Sequence, residues 1–487
     1  MKKYLHYIIG LAIMFGFRFI PEGVLPNVTP IGLSILGIFI GTIYLWSTVD
    51  PLSSSIIGLF MIAFSGFAPV GQFTAGAFGT PVVIQLWFLM IFIAGLTNRR
   101  LTDYIGRWII TRKVIEGKPW VFTAAILYGT FVMSVFIGAF TPIFLFWPVI
   151  YSVAKEVGFE KDSKYVKLLV HAVVICALIG FPVPPYMSNG LALLSNYRGL
   201  IANFPALQAM GNAIMVSDAS YFIGCFAIGA VEVAIVIALM KFLWKPDVTP
   251  LKNVTIEMIN KNPLPPMNKA QKTYGVVLLF FIACMLLPSL LPSVPLFAYI
   301  NQHSTLVAGV LVTILCVLKG DDGPVLRIGP TMGELSWPTY FLCVSAIYLG
   351  NALTNEATGI TPFLNAILGP IFQGMSSTVF TIVVILVCVV LTNISNSLVI
   401  GMIMQPVILT FCAQTGYNPA PIISLMIFAV LSTACATPAA SPFAAMLFGN
   451  KEYLSNGDVY KYSGVVLVAE VIFVLLVGMP LLNLLIG

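Results

Sequence analysis

An apolar run from about Thr378 to Phe411 is interrupted by a polar tripeptide, Ser395-Asn396-Ser397, within the stretch LTNISNSLVIGMIMQP (Leu391–Pro406). Hydrocarbon offers an opened backbone no hydrogen-bond partners. An interrupted helix at membrane depth is therefore buried in protein or lines a cavity. Two half-helices meeting at Asn393 to Ser397 present unpaired N–H or C=O groups to whatever binds. A single helix with a few tolerated polar residues is the alternative that this stretch leaves open. Hydrophobic residues make up 59% of the 487 and charged residues only 9%. That is too little charge to cover a soluble surface, so the chain reads as a polytopic membrane protein. Its apolar stretches have helix length and do not alternate, which excludes an outer-membrane barrel.

Apolar runs of spanning length fall near 5–20, 31–48, 52–69 and 81–97. The opening MKKYLHYIIGLAIMFGFRFI lacks a small-x-small cleavage site and is read as the first helix, not a signal peptide. A basic segment precedes a run from Trp120 to Tyr151 that is broken at Gly138 to Pro142. This run is too long for one span and tight for two, so a re-entrant hairpin fits it. The span near 168–181 ends in PVPPYMSNG (Pro182 to Gly190), and a span at 220–244 leads to a hydrophilic linker, 245–272. Spans follow near 273–290, 294–318 and from Trp337 to Leu353, then the interrupted run. A span from about Ala420 breaks at Thr437 to Pro442, and a last one lies near 463–486.

With the N-terminus inside and about eleven spans, loops 98–119, 152–167, 245–272 and 319–327 fall inside and carry nearly all the Lys and Arg, Lys161 and Lys261 included. Loops 187–217, 291–303 and 354–376 fall outside with Arg198 as their cation. This holds only if the two interrupted runs are opposed hairpins, the first entering from inside and the second from outside. The net charge of +6 thus reflects topology and does not suggest a nucleic-acid partner. A shift of 257 places Leu96-Thr97-Asn98 on Leu353-Thr354-Asn355, Gly138-Ala139-Phe140 on Ser395-Asn396-Ser397, and Pro185 on Pro442. A second offset near 240 relates Glu232 to Glu470. The corresponding spans run in opposite directions, an inverted repeat of the kind found in secondary transporters, whose sites lie near the midplane at discontinuous helices.

On these residues the chain resembles the divalent anion:sodium symporter (DASS) family of the ion transporter superfamily, over roughly 30–487. That family carries Ser-Asn-Thr at the tip of each of two opposed hairpins and a proline-containing break after each. Ser395-Asn396-Ser397 matches the second tip, Ala440-Ser441-Pro442 followed by Phe448-Gly449 the second break, and Pro184-Pro185 the first. The resemblance implies an all-α fold of scaffold and transport domains, a homodimer, and elevator-type movement of a dicarboxylate with flanking sodium ions. It divides the chain into scaffold helices (1–119), first hairpin and broken helix (120–244), cytoplasmic linker (245–272), scaffold helices (273–353), and second hairpin, broken helix and last span (354–487). At the first tip the sequence departs from the family, with Gly138-Ala139-Phe140 and Thr141 as the nearest hydroxyl. Tyr186 and Ala444 replace the Asn that closes each break. Gly and Ala offer sodium only backbone carbonyls, so sodium-independent exchange stands beside sodium symport.

The expected substrate ligands are Ser395, Asn396, Ser397, Gly138, Ala139, Thr141, Pro185, Ser441 and Pro442, with sodium near Ser395, Asn396, Thr437 and Ala440. Against this, Asn and Ser also cap helix ends, and Thr141 can bond its own helix. Thr392 and Asn393 either cap or line the pocket, while Ser188 and Asn189 fall after a break. An intramembrane acid points by default to an ion or proton role. Glu232 and Glu470 lie far from the tips, though, and fit helix-to-helix hydrogen bonding better. His171 reads as a core histidine, and the eight cysteines, scattered singly with no CxxC, as small core residues. No cofactor is expected. The leading function is secondary transport of organic anions, C4–C5 dicarboxylates first, in the plasma membrane with a cytoplasmic N-terminus. A sodium/proton antiporter would need acids beside the tips, which are lacking, and an inorganic oxyanion permease of the same superfamily is a further alternative. A membrane-embedded transferase lacks an HxxxxD, HExxH or paired-Asp motif, and an ATP-driven pump lacks GxxxxGK[ST], so no enzyme is expected.

Overall fold

The computed structural model describes residues 2–160, 162–259, 264–291, 293–372 and 374–487. Lys161 and Lys261 lie outside the described residues. Among those described the protein is helical, with an isolated bridge between Lys319 and Pro324 and no strand. Eight described helices are long and apolar enough to cross a membrane, and shorter apolar helices include Pro51–Phe64 and Pro419–Ser432. Many helices begin on a proline, among them Pro30, Pro51, Pro81, Pro119, Pro419 and Pro442. The first turn has no use for that missing N–H, and the ring presets φ. Side chains close the adjoining ends: Thr29 accepts from Gly32 N (3.1 Å), and Asp50 accepts from Ser53 N (2.8 Å).

Both interrupted runs are helical hairpins. The first consists of Pro119–Ile137 and Phe140–Glu156, the second of Ser377–Ile394 and Ser397–Thr415. The first break is narrower than expected. Thr141 and Pro142 already lie in the returning arm, where a first-turn proline costs no hydrogen bond. Arms of 19, 17, 18 and 19 residues are longer than half-spans. Each hairpin is followed by a broken helix: Lys164–Gly180 then Ser188–Leu200, and Pro419–Ser432 then Pro442–Gly449. The returning arms start at Phe140 and Ser397, 257 apart, and the next long helices at Asp218 and Asn456, 238 apart. Both of those last helices relax into π-helical turns, Leu239–Trp244 and Val474–Gly478. The repeat read from the sequence is thus repeated in the backbone.

One expected span is different. The run near 294–318 forms two helices, Pro295–Gln302 and Ser304–Val317, bent by 90°. His303 sits at the bend, its Nδ1 2.9 Å from the Tyr299 carbonyl oxygen. The bend falls within the polar stretch Asn301-Gln302-His303-Ser304-Thr305, which the apolar residues further out on each side hide from an average taken over a whole span.

The four basic loops gather at one end of the bundle. Arg99, at the end of Pro81–Asn98, donates to Asp322 (2.9 Å) and to the carbonyls of Pro324 (2.7 Å) and Val325 (2.8 Å). Its guanidinium holds the Asp322 carboxyl below the usual carboxylate range. In the linker, Gly117 N donates to Val254 O (3.2 Å), Tyr104 Oη to Pro265 O (2.8 Å), and Lys164 Nζ to Trp244 O. At the opposite end the loops assigned outside meet one another. Asn203 donates to Thr354 Oγ1 (2.8 Å), Thr29 N to Thr358 O (3.0 Å), and Thr29 Oγ1 to Ala357 O (2.7 Å). There Gly32 is obligatory, because a Cβ would stand 1.9 Å from the Thr358 carbonyl oxygen.

Glu232 and Glu470 are fully buried in repeat-related helices that touch. The expected helix-to-helix hydrogen bond is not made. None of their four carboxyl oxygens has a hydrogen-bond partner among the described residues. A buried polar group without a partner costs stability. Replacing both with leucine (E232L/E470L) is expected to leave the detergent-solubilised protein melting at or above the wild-type temperature. A fall of several degrees in a thermal denaturation series would contradict this.

Candidate functional site

The two hairpin tips are built by different means. In the first, Gly138 turns the chain at φ +103°, a conformation that costs any residue with a Cβ about 1–3 kcal/mol. Ala139 behind it is buried. In the second, Ser395 and Asn396 stay extended and the turn is held by side chains. Asn396 Oδ1 accepts from Leu398 N (3.0 Å) and Val399 N (3.4 Å), capping the returning arm.

Each tip is sutured to the break that follows it. In the first repeat, Ser134 Oγ donates to the Ala177 carbonyl oxygen (2.6 Å). In the second, Asn393 Nδ2 donates to Thr433 O (3.0 Å), the same junction one repeat later. Asn393 does far more than Ser134. Its Oδ1 accepts from Cys435 N (3.2 Å) and Ala436 N (2.8 Å), and its own carbonyl accepts from Thr437 Oγ1 (2.6 Å). Thr392 Oγ1 reaches Val430 O (3.0 Å), and Ser397 N donates to Ala440 O (3.3 Å). Ser441 Oγ donates to Ala434 O (2.7 Å) and accepts from Ala444 N (3.0 Å), opening the helix that starts at Pro442. Asn393 and Thr392 are therefore fastenings, with their side-chain groups committed to the protein.

A cavity of about 750 Å³ lies against the first tip. It is lined there by Gly138, Ala139, Phe140 and Thr141, and across from them by Pro184, Met187 and Asn189 of the first break. Pro442 and Phe443 of the second break complete this end. Arg100, Asp103, Arg107 and Glu334, from the segment whose basic loops gather at one face, also line the cavity. Arg100 is paired with Asp103 at 2.7 Å. Three helix N-termini from both repeats thus converge on one space, at Phe140, Ser188 and Pro442. The first two carry no side-chain cap, so their leading N–H groups remain available to an anion.

Of the residues expected to bind substrate, Gly138, Ala139, Thr141 and Pro442 are brought to this cavity. Pro185 is buried beside it, while its neighbour Pro184 supplies the wall. Ser395, Asn396, Ser397 and Ser441 do not line it. Ser395 Oγ instead lies 3.1 Å from Ser47 Oγ on Pro30–Thr48. The oxygens named for sodium are engaged: Thr437 Oγ1 with Asn393, Ala440 O with Ser397 N, Asn396 Oδ1 with two amides. No group of three or more His, Cys, Asp or Glu suited to a metal occurs among the described residues. His171 is buried and bonded to Ser463 (2.9 Å), and the eight cysteines are free. Phe144, Phe181 and Phe443 were not singled out from sequence. The available signal was Phe144 four residues after Phe140, on the same helix face.

The family model described as "Sodium:sulfate symporter transmembrane region" matches residues 1–487. The chain belongs to this family. No curated protein sequence matches this sodium:sulfate symporter family member. Among solved structures it is similar to the YdaH transporter of Alcanivorax borkumensis, with 13% identity and a TM-score of 0.57 over 91% of this chain and 97% of that one. It is also similar to Neisseria gonorrhoeae MtrF, described as illuminating a class of antimetabolite efflux pumps. There the identity is 14% and the TM-score 0.57, over 97% of this chain and 94% of the other. At such identities the likeness is one of fold.

Asn393→Ala in this family member strands the amides of Cys435 and Ala436 and the Thr433 carbonyl. It is expected to cost about 2–4 kcal/mol and to lower the melting temperature more than Asn396→Ala, which removes an accessible cap. Equal losses in parallel thermal denaturation would show that Asn393 is not the principal fastening.

Proposed function

We propose that the protein is a secondary transporter that carries small organic carboxylates by alternating access, with C4–C5 dicarboxylates the class implied by the DASS resemblance. The observation that carries this reading is the convergence on one cavity of two uncapped helix N-termini, at Phe140 and Ser188, faced from the second repeat by Pro442 and Phe443. Such ends stabilise an anion through oriented N–H groups without a buried cation and leave it free to depart. Membership of a symporter family supports transport as the activity. The gathering of basic loops at the Arg100 end supports a cytoplasmic location for that face and for the N-terminus, in the plasma membrane. On that orientation the cavity belongs to the inward-facing state. A homodimer, as in the resembled family, completes the proposal and is checked by the mass of the purified protein in detergent.

The test is uptake of labelled succinate, malate and 2-oxoglutarate into proteoliposomes, with and without a sodium gradient and with and without unlabelled carboxylate inside. Saturable uptake of at least one carboxylate is expected. Acceleration by internal substrate identifies exchange, and acceleration by sodium identifies symport. A sulfate arm tests inorganic oxyanion transport, the reading that the family's description favours. Sulfate uptake without carboxylate uptake would replace the proposal.

In this proposal the hairpins and broken helices move as one body against the helices that include Pro30–Thr48. Ser47 and Ser395 meet across that boundary. The double variant S47C/S395C is expected to stop uptake on oxidation and recover it on reduction. Full uptake with the disulfide formed would rule out movement at this contact.

A further inference from the structure

We propose that the preferred substrate is an organic anion that carries an aromatic or branched apolar body beside its carboxylate, with Phe140 as the residue that sets this preference; the inference rests on the organic-anion reading above. The cavity has two kinds of wall. One is the set of helix N-termini at Phe140, Ser188 and Pro442. The other is aromatic. The Phe140 ring centroid stands 4.4 Å from that of Phe443, which stands 5.2 Å from Phe181. Phe144 stacks on Phe140 at 6.4 Å with the planes 14° apart. Phe140 and Phe144 line the cavity and remain 45% and 63% exposed. That is apolar surface held open where a ligand would cover it.

Arg100 and Arg107 also line the cavity, and Arg100 is paired with Asp103 at 2.7 Å. Of the hydroxyls near the tip, Ser134 is committed to the Ala177 carbonyl, and Thr141 lines the cavity. A carboxylate pressed on the Phe140 and Phe144 rings would lose its water and gain no hydrogen bonds from them, whereas an aromatic or branched group would lose nothing. The volume of about 750 Å³ lies within the roughly 300–1,000 Å³ of pockets that take drug-sized ligands. A four-carbon chain would leave much of that space empty. The repeat sharpens the point. Phe140 starts the first returning arm as Ser397 starts the second, so one half-site has a phenyl ring where its partner has a hydroxyl.

The measurement is competition and uptake in proteoliposomes with two labelled probes, phenylacetate and succinate, corrected against protein-free vesicles, together with binding to the purified protein in detergent. The wild type is expected to favour phenylacetate by about tenfold or more in kcat/KM. Phe140→Ser is expected to move that ratio toward succinate by about tenfold or more, a change of preference that mere loss of fold does not produce. Phe144→Ser, one turn further along the same face, is expected to shift it in the same direction and serves if the first variant does not fold. Preferred succinate uptake by the wild type, or an unchanged ratio in the folded variants, would overturn the inference and leave organic-anion transport standing. Neither probe bound or carried, by wild type or variants with normal melting curves, would overturn both.

Discussion

A helix opened inside hydrocarbon must find partners for its backbone within the protein, and this requirement shapes both half-sites. The breaks after Gly180 and Ser432 exist only because neighbouring side chains take up the amides and carbonyls they release. At the second break Asn393 does most of this, joining the hairpin tip to Thr433, Cys435, Ala436 and Thr437. A planar amide with two donors and an acceptor suits the task, since it satisfies groups of both signs at once. At the first break Ser134 provides one bond, and Tyr221 adds another from outside by donating to Pro182 O (3.0 Å). Two repeats with one architecture have thus been closed to different degrees.

That difference accounts for where the cavity lies. Where the second repeat's amides and carbonyls are consumed internally, little is left for a ligand on that side. The first tip relies on a glycine bend, which uses no side chain, and leaves the N-terminus of its returning arm uncapped. Binding capacity and internal fastening draw on the same N–H groups, so a half-site that is strongly tied has less to offer a substrate. The Pro442 helix contributes from the second repeat because Ser441 caps it from behind while Pro442 and Phe443 face the cavity.

The architecture was largely legible in the sequence because membranes impose strong rules. Run length, charge placement and the 257-residue offset all have physical causes that act locally. The polar interruption at Ser395 to Ser397 correctly announced a tip. Its individual roles were not legible. Asn393 and Asn396 are both asparagines at a helix end, and only the chain segment facing each one separates a fastening from a cap. The aromatic wall was hidden for a similar reason, since phenylalanines in an apolar run look like lipid-facing or core residues until the neighbouring helices are placed. The 90° bend at His303 falls in the polar stretch Asn301 to Thr305, which a search for apolar runs of spanning length passes over.

The contact of Thr29 and Gly32 with Ala357 and Thr358 has a consequence for how such a chain is made. Two stretches separated by more than three hundred residues close on one another so tightly that no side chain fits between them. During synthesis the second membrane helix leaves the ribosome long before its partner exists. The intervening spans must be inserted while that surface stays unmatched. Lipid or an insertion factor has to occupy the gap until residue 358 arrives, so the first half of the protein is a waiting intermediate and not an independently finished domain.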